Sequence, residues 1–302
     1  MPDNKINQDI LSRGNIYLNK TKEEIEKDLN ISKTGNLSQL SHKILNLNVK
    51  ERDYLKRNHI EVRTTTFQRN KNKDNDKEIG IEIVPRSKES FKISQINADK
   101  LIKEQWENSE LYTILSRTTY LLFIYMEDSE GEITLYHVIY WKISNEDIQE
   151  NIKYTWKETQ QVFKDGVSLK YENNMVLNNL PKMAHNRILH VRPSASKSSY
   201  TNNSNAMKLP YKSHWINKPD NDNYQDNYMT KQAWWLNSSY VFEEVYKIIN
   251  AQHLDKNLNY IINKKIDYIF QKNNLLKNNN LINNLNDCLE KIIEEVNSQG
   301  YY

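Results

Sequence analysis

Two apolar runs at the middle of the chain decide its fold class: TYLLFIYM (Thr119–Met126) and ITLYHVIYW (Ile133–Trp141). The first is apolar almost throughout, as a strand buried on both faces must be, so it reads as the central strand of a sheet. Asp128-Ser129-Glu130-Gly131 supplies a turn, and the second run returns as the antiparallel partner. Upstream, Thr21 and Glu24 form a capping-box signature before Ile25 and Leu29, which predicts a helix near 21–30. Lys33 to Asn36 breaks it. Leu37, Leu40, Ile44 and Leu47 then share one face of a second helix, and Val49 to Asn58 reads as a short helical turn. Residues 1–20 read as a polar lead-in. His59 to Thr64 and Ile79 to Val84 alternate polar and apolar side chains as strands do, with a charged hairpin loop between them. Asn97 to Trp106 is predicted helical, followed by a short helix through Leu111 and Leu115. Downstream, Ser144 and Asp147 open a long helix that reaches about Lys164 and stops at Gly166. Ile188 to Val191 is a short apolar strand, and Ser238 to Asn250 is amphipathic. This order predicts an α/β fold with a mixed central sheet flanked by helices. One domain over residues 1–250 is expected, followed by a helical Asn/Lys-rich appendage over 251–302, whose apolar periodicity is low in complexity.

The chain has 302 residues, enough for a real core, and its 42 basic and 39 acidic residues nearly balance at +3. A single cysteine, Cys288, excludes a disulfide framework and a cysteine-only zinc site. Residues 1–20 hold no apolar core of signal-peptide length, and no window approaches ~18 continuous apolar residues. A cytoplasmic protein without a membrane partner is the expectation.

Against that balanced background one window has a single sign. From Asn173 to Pro219 there is no Asp or Glu, while Lys182, Arg187, Arg192, Lys197, Lys208, Lys212 and Lys218 are present. Its middle is rich in Ser and Asn, and it is followed by Tyr228, Lys231 and the Trp234-Trp235 pair. Uncompensated positive charge with many hydroxyl and amide donors suits a polyanion. The same pattern also fits a solvated, flexible insertion.

Arg192-Pro193-Ser194-Ala195, then Leu209-Pro210, then Tyr228-Met229-Thr230-Lys231 resemble the C-terminal DNA-reading region of the MutH family. That family comprises a mismatch-repair nickase and related restriction endonucleases that recognise GATC. Glu104 to Ser109, the apolar hairpin ending in Trp141, and Trp156-Lys157-Glu158-Thr159 match its other landmarks in order and spacing. The likeness is greatest to the C-terminal half of the two-domain restriction enzymes, where a second copy of the fold binds DNA without cutting it. The resemblance implies a PD-(D/E)XK nuclease-like fold and double-stranded DNA as partner. It places Arg192, Pro193 and Ser194 in the major groove, with Tyr228 and Lys231 beside them; the charge of the basic window adds Arg187 and Lys197 as DNA contacts. A guanidinium such as that of Arg192 suits guanine O6 and N7. Ser194 stands where the family usually has Lys, and Thr34-Gly35 matches a backbone-contact loop with its Lys lost.

The family's catalytic set is a Glu-x-Lys on a strand, an Asp seven residues before that Glu, and a further Glu on the preceding helix. Here the strand reads Glu61-Val62-Arg63, the Asp position is Tyr54, and the helix position is His42. Only Glu61 survives, with Asp53 one residue out of register. Arg63 is a poor general base, and one carboxylate is a poor grip for Mg²⁺. Glu61 and Arg63 read more simply as a strand-end ion pair. His42 and His59 have no zinc-spaced companions, so no metal site is expected. Three functions remain open. The first is a sequence-specific DNA-binding pseudo-nuclease that needs no cofactor to bind, the recognition or allosteric part of a GATC-type restriction system; if it stands alone, a catalytic MutH-like subunit is expected in trans. The second is a Mg²⁺-dependent endonuclease using a displaced carboxylate. The third is an interaction protein that kept the fold and lost DNA, binding through Trp234, Trp235, Tyr240 and the tail.

Overall fold

The computed structural model describes residues 4–69, 83–87, 89–184 and 187–249. Four helices precede the first strand: α1 (Asn4–Asn15), α2 (Lys22–Asp28), α3 (Leu37–Leu45) and α4 (Val49–Arg57). Three of them are capped as their sequences dictate. Thr21 and Asn48 each complete a capping box, with Glu24 and Glu51 respectively, and Asn36 accepts from the amide of Gln39. The stretch read as a polar lead-in is instead helix α1. Its Ile10 is fully buried, and Gly14 lies so close to Val138 that a Cβ there would stand 2.9 Å from a valine methyl. The absence of a side chain lets α1 lie down on the sheet.

That sheet has the order β2-β1-β4-β5, with β1 (Ile60–Arg69), β2 (Ile83–Pro85), β4 (Thr119–Glu127) and β5 (Ile133–Trp141). β1 and β4 run parallel over the register Ile60↔Thr119 to Gln68↔Glu127, while β2 and β5 are antiparallel to their neighbours. The sheet is therefore mixed, and β4 is its buried centre, as its apolar run requires. Leu121, Phe123 and Tyr125 on one face join Ile25, Leu40, Ile44 and Leu55 of the helices in one core. Burial pushes the Tyr125 phenol up to about 12, although its hydroxyl lies 2.9 Å from that of the buried Ser41. On the other face Tyr120 meets Phe91 at 5.0 Å between ring centroids, and Phe67 meets Phe242 edge-on at 4.9 Å.

Phe91 belongs to β3 (Glu89–Gln95), which pairs with β12 (Gln232–Asn237), and β12 pairs in turn with β8 (Leu189–Pro193). Between them come α5 (Ala98–Leu101), a 3₁₀ turn (Trp106–Asn108) and α6 (Glu110–Arg117). The helix expected from Asn97 to Trp106 is thus only its first turn. Gln160 fills the gap left behind, its amide donating to the carbonyls of Leu101 and Glu104. The long helix after Ser144 is present, but as α7 (Asn145–Asp147), a π turn (Ile148–Ile152) and α8 (Lys153–Asp165). Gly166 ends it at φ +89°, a value that favours glycine.

Beyond α8 the chain forms β6 (Ser168–Glu172) and β7 (Met175–Asn178), joined by Asn173-Asn174, both with positive φ. A two-residue turn of that kind matches the twist of the strands it joins. β10 (His214–Ile216) adds to β6 in parallel, and β9 (Ala206–Lys208) pairs with β11 (Tyr228–Thr230). A last helix begins at residue 238, as its amphipathic pattern predicts. The chain divides into two compact units, Met1–Val245 and Tyr246–Tyr302. Residues 79–82 of the strand expected before β2, the charged hairpin loop and the 251–302 appendage lie outside the described residues. Among the described residues no helix is long and apolar enough to cross a membrane.

Candidate nucleic-acid interface

β8 carries its chemistry at one end. Leu189 and Val191 are buried, and the next two residues, Arg192 and Pro193, are exposed. In the ladder Arg192 stands opposite Ala233 and His190 opposite Trp235. Arg192 and Trp235 are thus diagonal neighbours on one face. The guanidinium carbon lies over the Trp235 ring, 5.5 Å from its centroid, a cation–π contact across the ladder.

The following loop is pinned where the sequence suggested flexibility. Ser194 donates its amide to the carbonyl of Lys231 at 2.9 Å, and Lys231 donates its own to Asn205 at 2.9 Å. Both ends of the 194–205 loop are therefore fastened to one residue. Midway, the Thr230 hydroxyl accepts the Ser199 amide at 2.9 Å and donates to the Ser199 carbonyl at 3.2 Å. Further on, Tyr200 stacks on Tyr224 at 5.7 Å, Trp215 meets both rings edge-on, and burial raises the Tyr200 phenol. Lys197 is exposed within this pinned loop. Tyr228, half-buried, stands opposite Lys208 in the β9–β11 ladder.

Arg192, Pro193, Ser194 and Lys231 are brought together by these ladders and bonds, while Tyr228 lies on β11 against Lys208. Arg187 is not part of that group. Its fork grips Glu158 of α8 through two bonds, at 2.7 and 3.2 Å, so it clamps β8's entry to the helix beneath. Lys218 is likewise bonded to Asp226 at 2.6 Å. Sequence reasoning missed Thr230 and Asn205 as fasteners and Trp235 as the platform for Arg192. Strand alternation through QAWWLN would have placed Trp235 and Ala233 on one face. Thr230 stands within the Tyr228–Lys231 motif, but its bonds to Ser199 span 31 residues and have no local signature.

Gly35 lies in the α2–α3 loop, its amide donating to Gln39 at 3.1 Å. The loop is set by Glu26, which accepts both the amide and the hydroxyl of Thr34 at 2.7 Å. Burial acts to raise that carboxyl, but the Thr34 bonds and the nearby Lys22 outweigh it and hold it below its ordinary range.

The strand with Glu61 and Arg63 begins beside a cleft of about 440 Å³, lined by His42, Leu47, Arg52, Leu55, Lys56, His59, Ile60, Glu61, Val62 and Thr118. Glu61 accepts from Arg63 Nη2 at 2.6 Å, the strand-end pair its spacing predicts. The Tyr120 phenol, opposite Glu61 in the ladder, is raised by burial and by that carboxylate. Tyr54 is buried in the helical core and His42 is exposed on α3. Asp53 does not line the cleft. One carboxylate already engaged by a guanidinium, among four cationic or imidazole side chains, does not fit Mg²⁺, which takes near-octahedral oxygen ligation. Among the described residues no three His, Cys, Asp or Glu side chains gather as a metal cluster.

No family model matches the chain. In an alignment of 172 positions that covers 53% of the chain, it is 34% identical to the type II restriction enzyme Sau3AI of Staphylococcus aureus. The match covers 35% of that enzyme, so the chain spans about a third of the relative's length. Over more than half of its residues, then, this mixed α/β chain is related to a type II restriction enzyme.

Proposed function

We propose that the chain binds double-stranded DNA at a short, GATC-like site as a non-cutting component of a restriction system. The role corresponds to that of the non-catalytic C-terminal copy in MutH-like restriction enzymes, with cleavage supplied by a catalytic MutH-like unit. The observation that carries this reading is Arg192, held at a strand end by Pro193 and placed over the Trp235 ring, beside a loop fastened to Lys231. A rigid, oriented guanidinium can aim both donors at guanine O6 and N7, whereas a lysine on a loop contacts phosphate without reading sequence. Arg192 is the base-reading residue in this reading, and Lys197 and Lys231 are phosphate contacts. Binding needs no metal.

Competition gel shifts in EDTA, with GATC and scrambled duplexes at two salt concentrations, test it. Arg192→Lys keeps the charge and loses the fork. It should reduce discrimination by about 1–3 kcal/mol, roughly 5- to 150-fold, and leave the salt dependence unchanged. Lys197→Ala should weaken both duplexes alike and make the salt slope shallower by about one unit. Undiminished discrimination in Arg192→Lys would remove Arg192 from base reading. Site-specific plasmid cleavage by the chain alone with Mg²⁺, lost in Glu61→Ala, would replace this reading with that of an active endonuclease.

A further inference from the structure

The cleft beside Glu61 has the wrong charge for a metal and a suitable one for an anion. Arg52 and Lys56 stand four residues apart on α4, so their side chains share one helix face. Both line the cleft, and among the described residues neither makes an ion pair. Like charges so spaced repel each other, and the one acid in the cleft lining, Glu61, is paired with Arg63. Glu51 is bonded to Arg13, Glu61 is turned onto Arg63, and Asp53 lies outside the lining.

Two imidazoles complete the wall. His42 comes from α3, and His59 sits at the junction of α4 and β1 with φ +53°. That left-handed residue follows the C-cap of α4, ends the helix and turns the chain into β1. Neither ring has a described hydrogen-bond partner in the protein. Arg52 spends one Nη on the carbonyl of Leu47 at 2.9 Å, which orients the guanidinium and leaves its other donors for a ligand.

We propose that this cleft binds a phosphate group directly, without a metal ion. Arg52 and Lys56 supply charge, and His42 and His59 supply ring donors. Arginine's fork matches phosphate oxygens bidentately, and lysine acts as a point charge. The phosphate is a backbone phosphodiester of the bound duplex, a source that rests on the DNA-binding reading above. Where a nuclease would bridge protein carboxylates to the phosphate through a metal, this chain places cations against it, so DNA is held there and not cut.

Arg52→Gln/Lys56→Gln, in the full chain and in EDTA, is the test. Both side chains are exposed, and a thermal melt confirms that the variant folds. On duplex DNA the salt slope should become shallower by about one to two units, equally on GATC and scrambled sequences. In a second arm, inorganic phosphate is titrated against ¹³C-histidine-labelled protein at constant pH, with chloride at matched ionic strength as control. The His42 and His59 ring signals should move with phosphate beyond the chloride control, and not in the double variant. Phosphate-dependent shifts with an unchanged DNA slope, or with no DNA binding by the parent chain, would keep the phosphate cleft and remove DNA as its source. An unchanged slope together with unmoved histidine signals would overturn the proposal. So would phosphate shifts that appear only after Mg²⁺ is added.

Discussion

Replacing Thr230 by Val keeps the volume of the side chain and removes a hydroxyl that bonds the Ser199 backbone in both directions. Thr230 is 2% exposed, and its oxygen lies 2.9 Å from the Ser199 nitrogen and 3.2 Å from its carbonyl oxygen. Each such bond contributes about 0.5–1.5 kcal/mol net, so the pair is worth about 1–3 kcal/mol. Ser199 is half-buried, and water can partly replace the lost partner, which favours the lower half of that range. The cost falls on the 194–205 loop and not on the whole fold, because Lys231 still fastens both ends. Local opening of the loop should therefore become about 5- to 30-fold more frequent, since 1.4 kcal/mol is tenfold. Hydrogen exchange of the Ser199 amide should quicken by that factor, while amides of the buried strand Leu121–Tyr125 keep their protection. Under the DNA-binding reading, affinity falls by no more than the same factor, because the loop must be re-ordered before Lys197 reaches a phosphate. A Ser199 amide that exchanges as fast in the parent chain as in the variant would refute the claim that this loop is pinned.

Gly166→Ala combines a Gly-favouring φ with a Cβ 2.8 Å from His214 Nε2 and 3.0 Å from the Lys212 carbonyl. It should cost about 2–4 kcal/mol, read as a thermal midpoint lower by roughly 5–15 °C. Glu26→Gln should show its effect through pH. The Glu26 carboxyl is depressed in the folded chain, so its stabilisation is complete above the unfolded value of about 4.3 and is lost as pH falls through the folded value. Urea melts should find the variant weaker than the parent near pH 7 and the gap narrowed near pH 3; an equal gap at both would remove the charge from the Thr34 clamp.

What the sequence disclosed followed the strength of its local signals. The β4–β5 hairpin was legible because a strand buried on both faces leaves a continuous apolar run, and α2 to α4 because side-chain caps mark their starts. Helix α1 escaped notice because Ile6, Ile10 and Leu11 are sparse among polar residues, and its docking depends on Gly14 meeting Val138 far along the chain. β6, β7 and β9 to β12 lie in or beside the acid-free window, and most are strands of three to six residues, too short for alternation to mark. Asn contributed to this. Six Asn residues and His59 are the non-glycine residues with positive φ among those described, in a chain with six glycines. Asn thus performs turn and cap duties that Gly usually signals, so the ordinary punctuation was present in another residue.

Charge on its own could not have separated the cations of the basic window, and the reason is geometric. Arg187 and Arg192 are five residues apart and chemically identical, yet one closes on Glu158 and the other lies over the Trp235 ring. The acid that captures Arg187 comes from α8, outside the acid-free window, so counting within the window could not register it. Lys218 meets the same fate through Asp226. A cation already bonded to an acid releases fewer counterions when DNA arrives, because its charge is partly compensated beforehand. The seven basic residues of the window are therefore an upper bound on its phosphate contacts. What fits Arg192 for reading a base is the pairing of its strand with β12, which sets an aromatic face diagonally across from it.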